Sequence, residues 1–538
     1  MLSYVLYAVI GLVSFLFLYL RWENNHFSSR GVKSPPTYVP FLGHMVKIIQ
    51  RKEHFRDWST RMYKYSSGER YIGIIQFFSP MVMITDLELI KQIAIKDFDH
   101  FTDHLGIVDE TLDPVFANNL FTLGGQKWRD MRATLSPAFT SSKMRGMFNF
   151  VVDCGQNMSD YYLEQMKKPE NKKSGLIEVE MKDGFTRYAN DVIATTAFGL
   201  EVDSLKNKDN EFYQVTHEAT KYFGAQLVKT ILLFSAPKMI KFFKVTLMTE
   251  NVQNYFRRLV GDTMEAREKN NIVRHDMIQM LMDTKKGMLK HEDDKHEDTA
   301  KDGFAAVEES HVGKETVQRK WTDDELTAQA VLFLFAGFDT TSTLLSFMAH
   351  ELTLHTDIQQ RLQEEIDEVA STNGGKLNYN DLQGMKYLDM VVTETLRFWP
   401  PVVNLDRKCM KAYTLPPANE SSKQSYQLKR GQGILFPVYA IHHDPRYYKD
   451  PETFDPERFS DENKGDIKPF SFIPFGTGPR NCIGSRFALM EAKACIYNLL
   501  RNFDFVKIPR TQDPLQIKLD SFSMSARDGF WVGLKPRK

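Results

Sequence analysis

The alternation of apolar and polar residues along the chain changes character several times, and each change predicts a structural role. Leu2 to Leu20 holds no charged residue; as a helix it rises about 28 Å, close to the roughly 30 Å hydrocarbon thickness of a bilayer, which predicts one membrane-spanning helix. No Lys or Arg precedes the run and no small-x-small site closes it, so it reads as an uncleaved anchor rather than a signal peptide. The basic residues follow at Arg21, Arg30 and Lys33, which predicts that everything beyond the anchor faces the cytosol. Pro35-Pro36-Thr37-Tyr38-Val39-Pro40-Phe41-Leu42-Gly43 is held extended by its prolines and predicts a semi-rigid hinge. The expected organisation is an anchor at 1–22, a proline-rich hinge at 23–44 and a catalytic domain at 45–538.

Beyond the hinge, helical periodicity dominates, as at Asp357–Val369 and Arg486–Leu500, while strand-like runs gather at Arg70–Thr85 and near the C-terminus. Thr322-Asp323-Asp324-Glu325 is a capping box flanked by Trp321 and Leu326 as a hydrophobic staple. The helix it opens extends to about His350 and is apolar nearly all round through Val331-Leu332-Phe333-Leu334-Phe335, as befits the middle of a large core. Thr284–Lys320, rich in Lys, Asp, Glu and His, predicts a solvated loop, and His291, His296 and His311 lack metal-ligand spacing. The pattern predicts one large, mainly α domain with a smaller β portion.

Composition narrows the function. Formal net charge is zero over 538 residues, which argues against a nucleic-acid or other polyanionic partner. Cys154, Cys409, Cys482 and Cys495 show neither zinc-site pairing nor a disulfide framework. With 39 Phe and 24 Met, the chain can build a large core or an adaptable apolar pocket. No strand-G-x-G-x-x-G-helix dinucleotide motif and no P-loop is present.

One cysteine stands out. Phe475-Gly476-Thr477-Gly478-Pro479-Arg480-Asn481-Cys482-Ile483-Gly484 is a glycine-rich loop delivering a thiol to a helix beginning near Ser485. A helix N-terminus and a nearby cation both favour thiolate, so the location is expected to activate the sulfur. Within the long apolar helix, Ala336-Gly337-Phe338-Asp339-Thr340-Thr341 interrupts the run with an acid and a hydroxyl that need a partner or a task. A Thr there can bond back to the carbonyl one turn earlier, and Ala336 and Gly337 leave space beside it. Glu394-Thr395-Leu396-Arg397 places an acid and a base on one helix face.

The cysteine loop resembles the haem-binding loop of the cytochrome P450 family, F-x-x-G-x-R-x-C-x-G, matched at Phe475, Gly478, Arg480, Cys482 and Gly484. The resemblance implies the cytochrome P450 fold behind an N-terminal transmembrane anchor helix, haem b (iron protoporphyrin IX) ligated by Cys482, and O2 as co-substrate. It implies that Trp128, Arg132, Arg407 and Arg480 hold the haem propionates and that Ala336, Phe475 and Gly484 line the haem. The basic residue that family members often carry just before the Trp128 helix has no counterpart in Phe116–Phe121. Thr340 and Asp339 take the family's oxygen-activating and proton-relaying roles. Asp455-Pro456-Glu457-Arg458-Phe459 resembles the motif whose Arg458 joins Glu394 and Arg397 in a structural network.

By comparison with vertebrate drug-metabolising relatives, the substrate pocket includes Phe121, Phe335, Val402, Leu405, Phe522 and Ser523. Ile231–Phe243, interleaved with Lys238, Lys241 and Lys244, resembles an access region dipping into the bilayer, with an amphipathic helix packed on the core as the alternative. Lacking its own nicotinamide site, the chain would draw electrons from NADPH through NADPH-cytochrome P450 reductase, with cytochrome b5 as a further donor; Lys127, Arg129, Lys143, Arg486 and Lys493 are candidate contacts. Val307-Glu308-Glu309-Ser310-His311-Val312-Gly313, together with the Ala336–Thr341 motif, resembles insect microsomal enzymes of the xenobiotic-metabolising clan, particularly its ninth family.

The expected function is NADPH- and O2-dependent insertion of one oxygen atom into lipophilic compounds such as insecticides and plant toxins, at the endoplasmic reticulum membrane. The alternative on the same scaffold is a dedicated hydroxylase of an endogenous hormone, fatty acid or pheromone precursor. A reductase-independent peroxide isomerase would not need Asp339 and Thr340, and a haem-based sensor would need an output module that the sequence does not display.

Overall fold

The computed structural model describes the chain except residues 1, 38, 107, 109, 112, 225–241, 243–245, 247, 287–302, 315–318, 373, 375, 522 and 538, and the side chains of residues 2–3, 221–224 and 314. The helices of nine residues or more are α1 (Leu2–Ser28), α2 (Phe55–Ser66), α3 (Gly125–Leu135), α4 (Ser141–Met166), α5 (Met181–Ile193), α6 (Glu211–Gly224), α7 (Glu250–Asn270), α8 (Met277–Lys285), α9 (Asp323–Leu354), α10 (Thr356–Thr372), α11 (Lys386–Phe398) and α12 (Ser485–Asn502). The strands are β1 (Tyr71–Gln76), β2 (Ser79–Ile84), β3 (Ile177–Glu180), β4 (Leu405–Lys408), β5 (Tyr413–Leu415), β6 (Tyr426–Leu428), β7 (Gly433–Phe436), β8 (Phe503–Val506) and β9 (Trp531–Pro536). Helices predominate, with a smaller strand portion.

Among the described residues two helices are long and apolar enough to cross a membrane, and burial separates them. In α1 the side chains from Tyr4 to Leu18 are largely exposed, so the described residues leave most of its apolar surface uncovered, with Phe41 stacking on Phe15. By contrast α9 is wrapped by α5, α7, α11 and α12 and is a core helix. Its start is capped as expected: Thr322 accepts from the Glu325 amide, and the Glu325 carboxylate accepts from the Thr322 amide. Trp321 and Leu326, flanking the cap, are both buried.

The four-stranded sheet runs β1-β2-β7-β4, with β2 and β7 parallel and the other pairs antiparallel. The remaining strands form β3-β9-β8 and the β5-β6 hairpin. Tyr71–Thr85 and the C-terminal strand follow the sequence expectation, whereas β4 to β7 carry too short an alternating pattern to show in it.

The proline segment, expected as a semi-rigid hinge, is paired with the body. α1 continues to Ser28, and Phe27 and Val32 are buried in the core. A Cβ on Gly73 would lie 2.1 Å from the Phe27 ring, so β1 can accept that ring only at a glycine. The Gly73 amide donates to the Lys33 carbonyl (2.9 Å), and His44 bridges the Pro35 carbonyl (2.7 Å) and the Ile75 amide (2.9 Å). Backbone polar groups that pair with a sheet edge lose their freedom, and this pairing fixes the segment to the body.

The charged stretch before α9 also departs from a simple solvated loop. Met277–Lys285 is helix, and beyond residue 302 the chain packs again, with Ala305 and Val312 buried.

Candidate functional site

The cysteine loop folds back on itself before α12. Gly476 and Gly478 adopt φ of +77° and +72°, and a Cβ on Gly478 would stand 2.0 Å from the Ala94 carbonyl oxygen, a contact that only glycine permits. The Asn481 amide donates to Gly478 O (2.9 Å) and the Cys482 amide to Phe475 O (2.8 Å), and Gly484 forms the N-cap of α12. Cys482 has exposed surface, yet burial raises its thiol pKa. A group that is both opens onto an enclosed internal space. In the free thiol burial outweighs the Gly484 amide and the Arg132 charge, which lower the pKa; a metal bound at the sulfur would supply the charge that favours thiolate.

Two buried arginines lie close by without an ion-pair partner among the described residues. Arg480 stacks on Trp128 (4.2 Å to the ring centre) and donates to the carbonyls of Thr102 (2.7 Å), Leu120 (3.1 Å), Phe121 (3.4 Å) and Leu123 (2.5 Å). Arg407, on β4, donates to its neighbour's carbonyl at Asp406 (2.7 Å), while its Nε has no partner. Burial pushes Arg407 down to about 10, and burial together with the Arg407 charge drives Arg480 well below the usual arginine range. Two buried arginines, one of them lowered further by the other's charge, form a site for an anion. Arg132 turns towards the loop, donating to Asn481 O and Oδ1 (both 2.7 Å) and pairing with Glu309 (2.7 Å).

Facing the loop, α9 breaks its own burial pattern. Phe139 lies 3.8 Å from where a Gly484 Cβ would be and packs on Phe333 of α9 (5.1 Å); one turn on, Ala336 is exposed in mid-helix. Thr340 Oγ1 donates back to the Ala336 carbonyl, as expected. Gly337 serves packing rather than space beside Thr340: a Cβ there would come within 2.7 Å of Ile193 on α5. Asp339 pairs with Lys182 of α5 (3.0 Å) and accepts from Ser523 Oγ (2.7 Å). Burial raises its pKa, but the Lys182 charge and these hydrogen bonds outweigh that and hold the carboxyl below its usual range. Lys182, 157 positions earlier in the chain, also donates to Ser342 and Thr343.

A cavity of about 750 Å³ opens here, its wall including Phe116, Phe121, Phe335, Ala336, Asp339, Thr340 and Ser523. Val402 and Leu405 are not among its lining residues; Leu405 instead lies beside the cysteine loop, 3.8 Å from where a Cβ on Gly476 would be. Phe522, and all but Phe242 of Ile231–Phe243, lie outside the described residues.

The loop is tied to the core from behind. Arg397 forks onto Glu394 (2.6 and 2.7 Å) and donates to the carbonyls of His442 (2.9 Å), Pro451 (3.0 Å) and Thr453 (3.2 Å). Arg458 lies 3.6 Å from Glu394, so the expected three-residue network is assembled. His442, absent from the sequence reading, carries the connection onward. Its Nε2 accepts from the Ile473 amide (3.0 Å), leaving Nδ1 to donate to Arg397 O (3.2 Å). Burial, then the Arg397 charge, keep this imidazole neutral.

Of the expected basic contact residues, Lys493 and Arg486 are buried. Lys493 pairs with Asp389 (2.8 Å) because α12 is enclosed on nearly all sides, and neither can meet a docking partner.

The residues fit a haem: a single sulfur donor open to an enclosed space, buried arginines lacking a counter-anion where two propionates would lie, and a helix whose side chains recede at Ala336. Fold and site together define the class of haem-thiolate enzymes. The cytochrome P450 family model matches residues 34–531. The chain is 45% identical over 540 residues to Cytochrome P450 9e2 of Blattella germanica, covering 99% of this chain and 97% of that protein. It is 40% identical over 531 residues to Probable cytochrome P450 9f2 of Drosophila melanogaster, with 97% of each covered. To Cytochrome P450 6j1 of Blattella germanica it is 36% identical over 522 residues, covering 96% of this chain and 95% of that protein. The chain belongs to the cytochrome P450 family. It is accordingly a haem-thiolate monooxygenase, using O2 and NADPH-derived electrons.

Proposed function

We propose that this monooxygenase inserts one oxygen atom into lipophilic foreign compounds, insecticides and plant toxins among them, at the endoplasmic reticulum membrane. The observation that carries this reading is the roughly 750 Å³ cavity at Ala336, whose lining surface is mainly apolar, with Phe116, Phe121, Leu332 and Phe335 on its wall, although charged side chains such as Lys182, Asp183 and Asp339 also reach it. A site of that size and lining suits lipophiles of drug-like size held more by apolar contact than by directed hydrogen bonds.

In this reading Cys482 ligates the haem iron, and Arg407 and Arg480 hold the propionates, with Trp128 bracing Arg480 and Arg132 steadying the loop. The thiolate-ligated haem supplies cleavage of the O–O bond and oxygen transfer to carbon. Phe121 and Phe335 hold the substrate against the Ala336 face and exclude water. Thr340 Oγ presents a hydrogen-bonding hydroxyl beside the open face of α9. Asp339, kept ionised by Lys182, is the proton acceptor on the cavity wall; protons pass through its carboxylate towards Thr340. Glu394, Arg397 and Arg458 support the cysteine loop through His442.

Residues 1–22 cross the membrane once, and Arg21, Arg30 and Lys33 keep the body in the cytosol. There NADPH-cytochrome P450 reductase supplies electrons, with cytochrome b5 as a second donor. The test is turnover by the purified full chain with reductase and NADPH against a varied panel of lipophiles, scored for oxygen-added products by mass spectrometry. Many accepted compounds are expected. One efficiently used hormone or lipid would replace this reading with a biosynthetic one, and NADPH-independent rearrangement alone would overturn oxygen insertion as this chain's reaction.

A further inference from the structure

The Val307–Gly313 motif takes no part in the oxygen side of the site. Its segment lies on the sulfur side. From Gly303 the chain is held first by Phe304, whose amide donates to Asp389 (2.9 Å) and whose ring packs on Phe459 and Phe472 (5.1 and 5.7 Å). The Val307 amide then donates to Ser485 Oγ (3.4 Å), and the Glu308 carbonyl accepts from Asn481 Nδ2 (2.9 Å). These two partners bracket Cys482, one residue before it and three after. Glu309 accepts from Arg132 Nη2 (2.7 Å) and Nε (3.2 Å to each oxygen) and from Ser136 Oγ (3.0 Å). A Cβ on Gly313 would stand 2.4 Å from the Glu309 carboxyl carbon, so the glycine makes room for this side chain to turn inward.

Arg132 is buried, and its two bonds to Asn481 hold the backbone immediately preceding the sulfur. Asn481 is therefore engaged at every side-chain polar atom and at its carbonyl, with Glu309 setting the orientation of the guanidinium that does most of this. A carboxylate that orients a buried cation cannot be removed without leaving that cation unpaired.

We propose that Gly303–Lys314 is a clamp on the sulfur side of this enzyme, with Glu309 as the positioning residue that holds Arg132 against Asn481 and so keeps the Cys482 sulfur seated and shielded from water. This rests on Cys482 as the iron ligand. The function is distinct from that of Glu394, Arg397 and Arg458, which reach the loop through Ile473 from the opposite end.

The experiment follows the reduced carbon monoxide complex of the full-length holoenzyme in mild denaturant. The red-shifted Soret band of thiolate ligation is timed as it decays to the unshifted form. Wild type is compared with Glu309→Ala, Glu309→Gln, Cys482→Ser and, as a control on an exposed ion pair elsewhere, Asp461→Asn. Both Glu309 variants are expected to begin with the red-shifted band. Glu309→Ala should lose it at least about tenfold faster than wild type, the size expected for one charge-assisted hydrogen bond. Glu309→Gln, which keeps one acceptor, should fall between them, and Asp461→Asn should match wild type. Helical circular dichroism should persist while the band decays, which a merely structural role would not give. Decay of both Glu309 variants at the wild-type rate, or only together with helix loss, would overturn the clamp. A red-shifted band in Cys482→Ser would overturn the ligand assignment itself, a failure visible before any decay is timed.

Discussion

Thr340 and Glu491 show how one side chain's surroundings set its chemistry. The Thr340 hydroxyl is bonded to the Ala336 carbonyl at the one place where α9 opens onto the cavity. Thr340→Ala is expected to retain haem and its red-shifted carbon monoxide spectrum while product formed per NADPH falls severalfold and peroxide or water rises. Assay of all three products checks this, and full coupling would remove Thr340 from proton delivery. Glu491, wholly buried on α12, accepts from Thr341 Oγ1 (3.1 Å), and burial pushes its pKa up to about 8 against that bond. Folded, it keeps its proton up to about pH 8; unfolded, it releases it near the ordinary glutamate value of 4.5. Rising pH across that window favours the unfolded chain, so stability is full below it and declines through it. Glu491→Gln should remove this share of the decline, an effect on the order of a few kcal/mol, measured as the difference between variant and wild type in denaturant unfolding at about pH 5 and about pH 8.

Residue types with a local signature were legible in the chain: Cys482 by its glycines, Asp339 and Thr340 by interrupting an apolar run. Lys182, His442 and Glu309 were not legible as functional partners, because each acquires its partner across more than thirty positions of sequence. A lone Lys among the chain's 69 Lys and Arg carries no mark of its future contact.

Among the elements, α9, α11 and α12 carry the site, and their periodicities announced them. Their joints are tertiary. Arg397 pairs within α11 with Glu394 and reaches outside it to three carbonyls of the segment ahead of the cysteine loop. Lysine cannot reproduce that fork. Arg397→Lys should therefore cost on the order of 2 kcal/mol or more and lower the haem-to-protein ratio while most helix persists. Haem content by absorbance beside circular dichroism checks it, and unchanged haem content would mean that this network does not support the loop. The apolar character of α9 could not by itself tell a core helix from a membrane span. Its burial by four neighbouring helices decides that, just as the bare surface of α1 marks it as the candidate anchor.

At the scale of the molecule, α1 is apolar and exposed over its first part and packs on the body at its end, where Phe27 is buried. Removing residues 1–21 should leave the body folded and less membrane-bound. Removing 1–44 also takes away Phe27, Val32 and His44, which complete the face of β1, and should lower stability by about 3 kcal/mol or more. Thermal unfolding of the two truncated proteins separates these outcomes, and equal midpoints would restore the proline segment as a detachable hinge.

The amino-acid order alone determined the helical class, the capped central helix, the apolar N-terminal run and the cysteine loop, because periodicity, capping and glycine spacing act over a few residues. Tertiary structure decided what those pieces do together. It buried Lys493 and Arg486, carried Gly303–Lys314 to the sulfur side, gave Asp339 its Lys182 partner and buried Arg407 and Arg480 with no acidic side chain paired to them among the described residues. Burial and pairing depend on segments hundreds of residues apart, and it is they, rather than residue type, that set the charge, orientation and reach of each functional group.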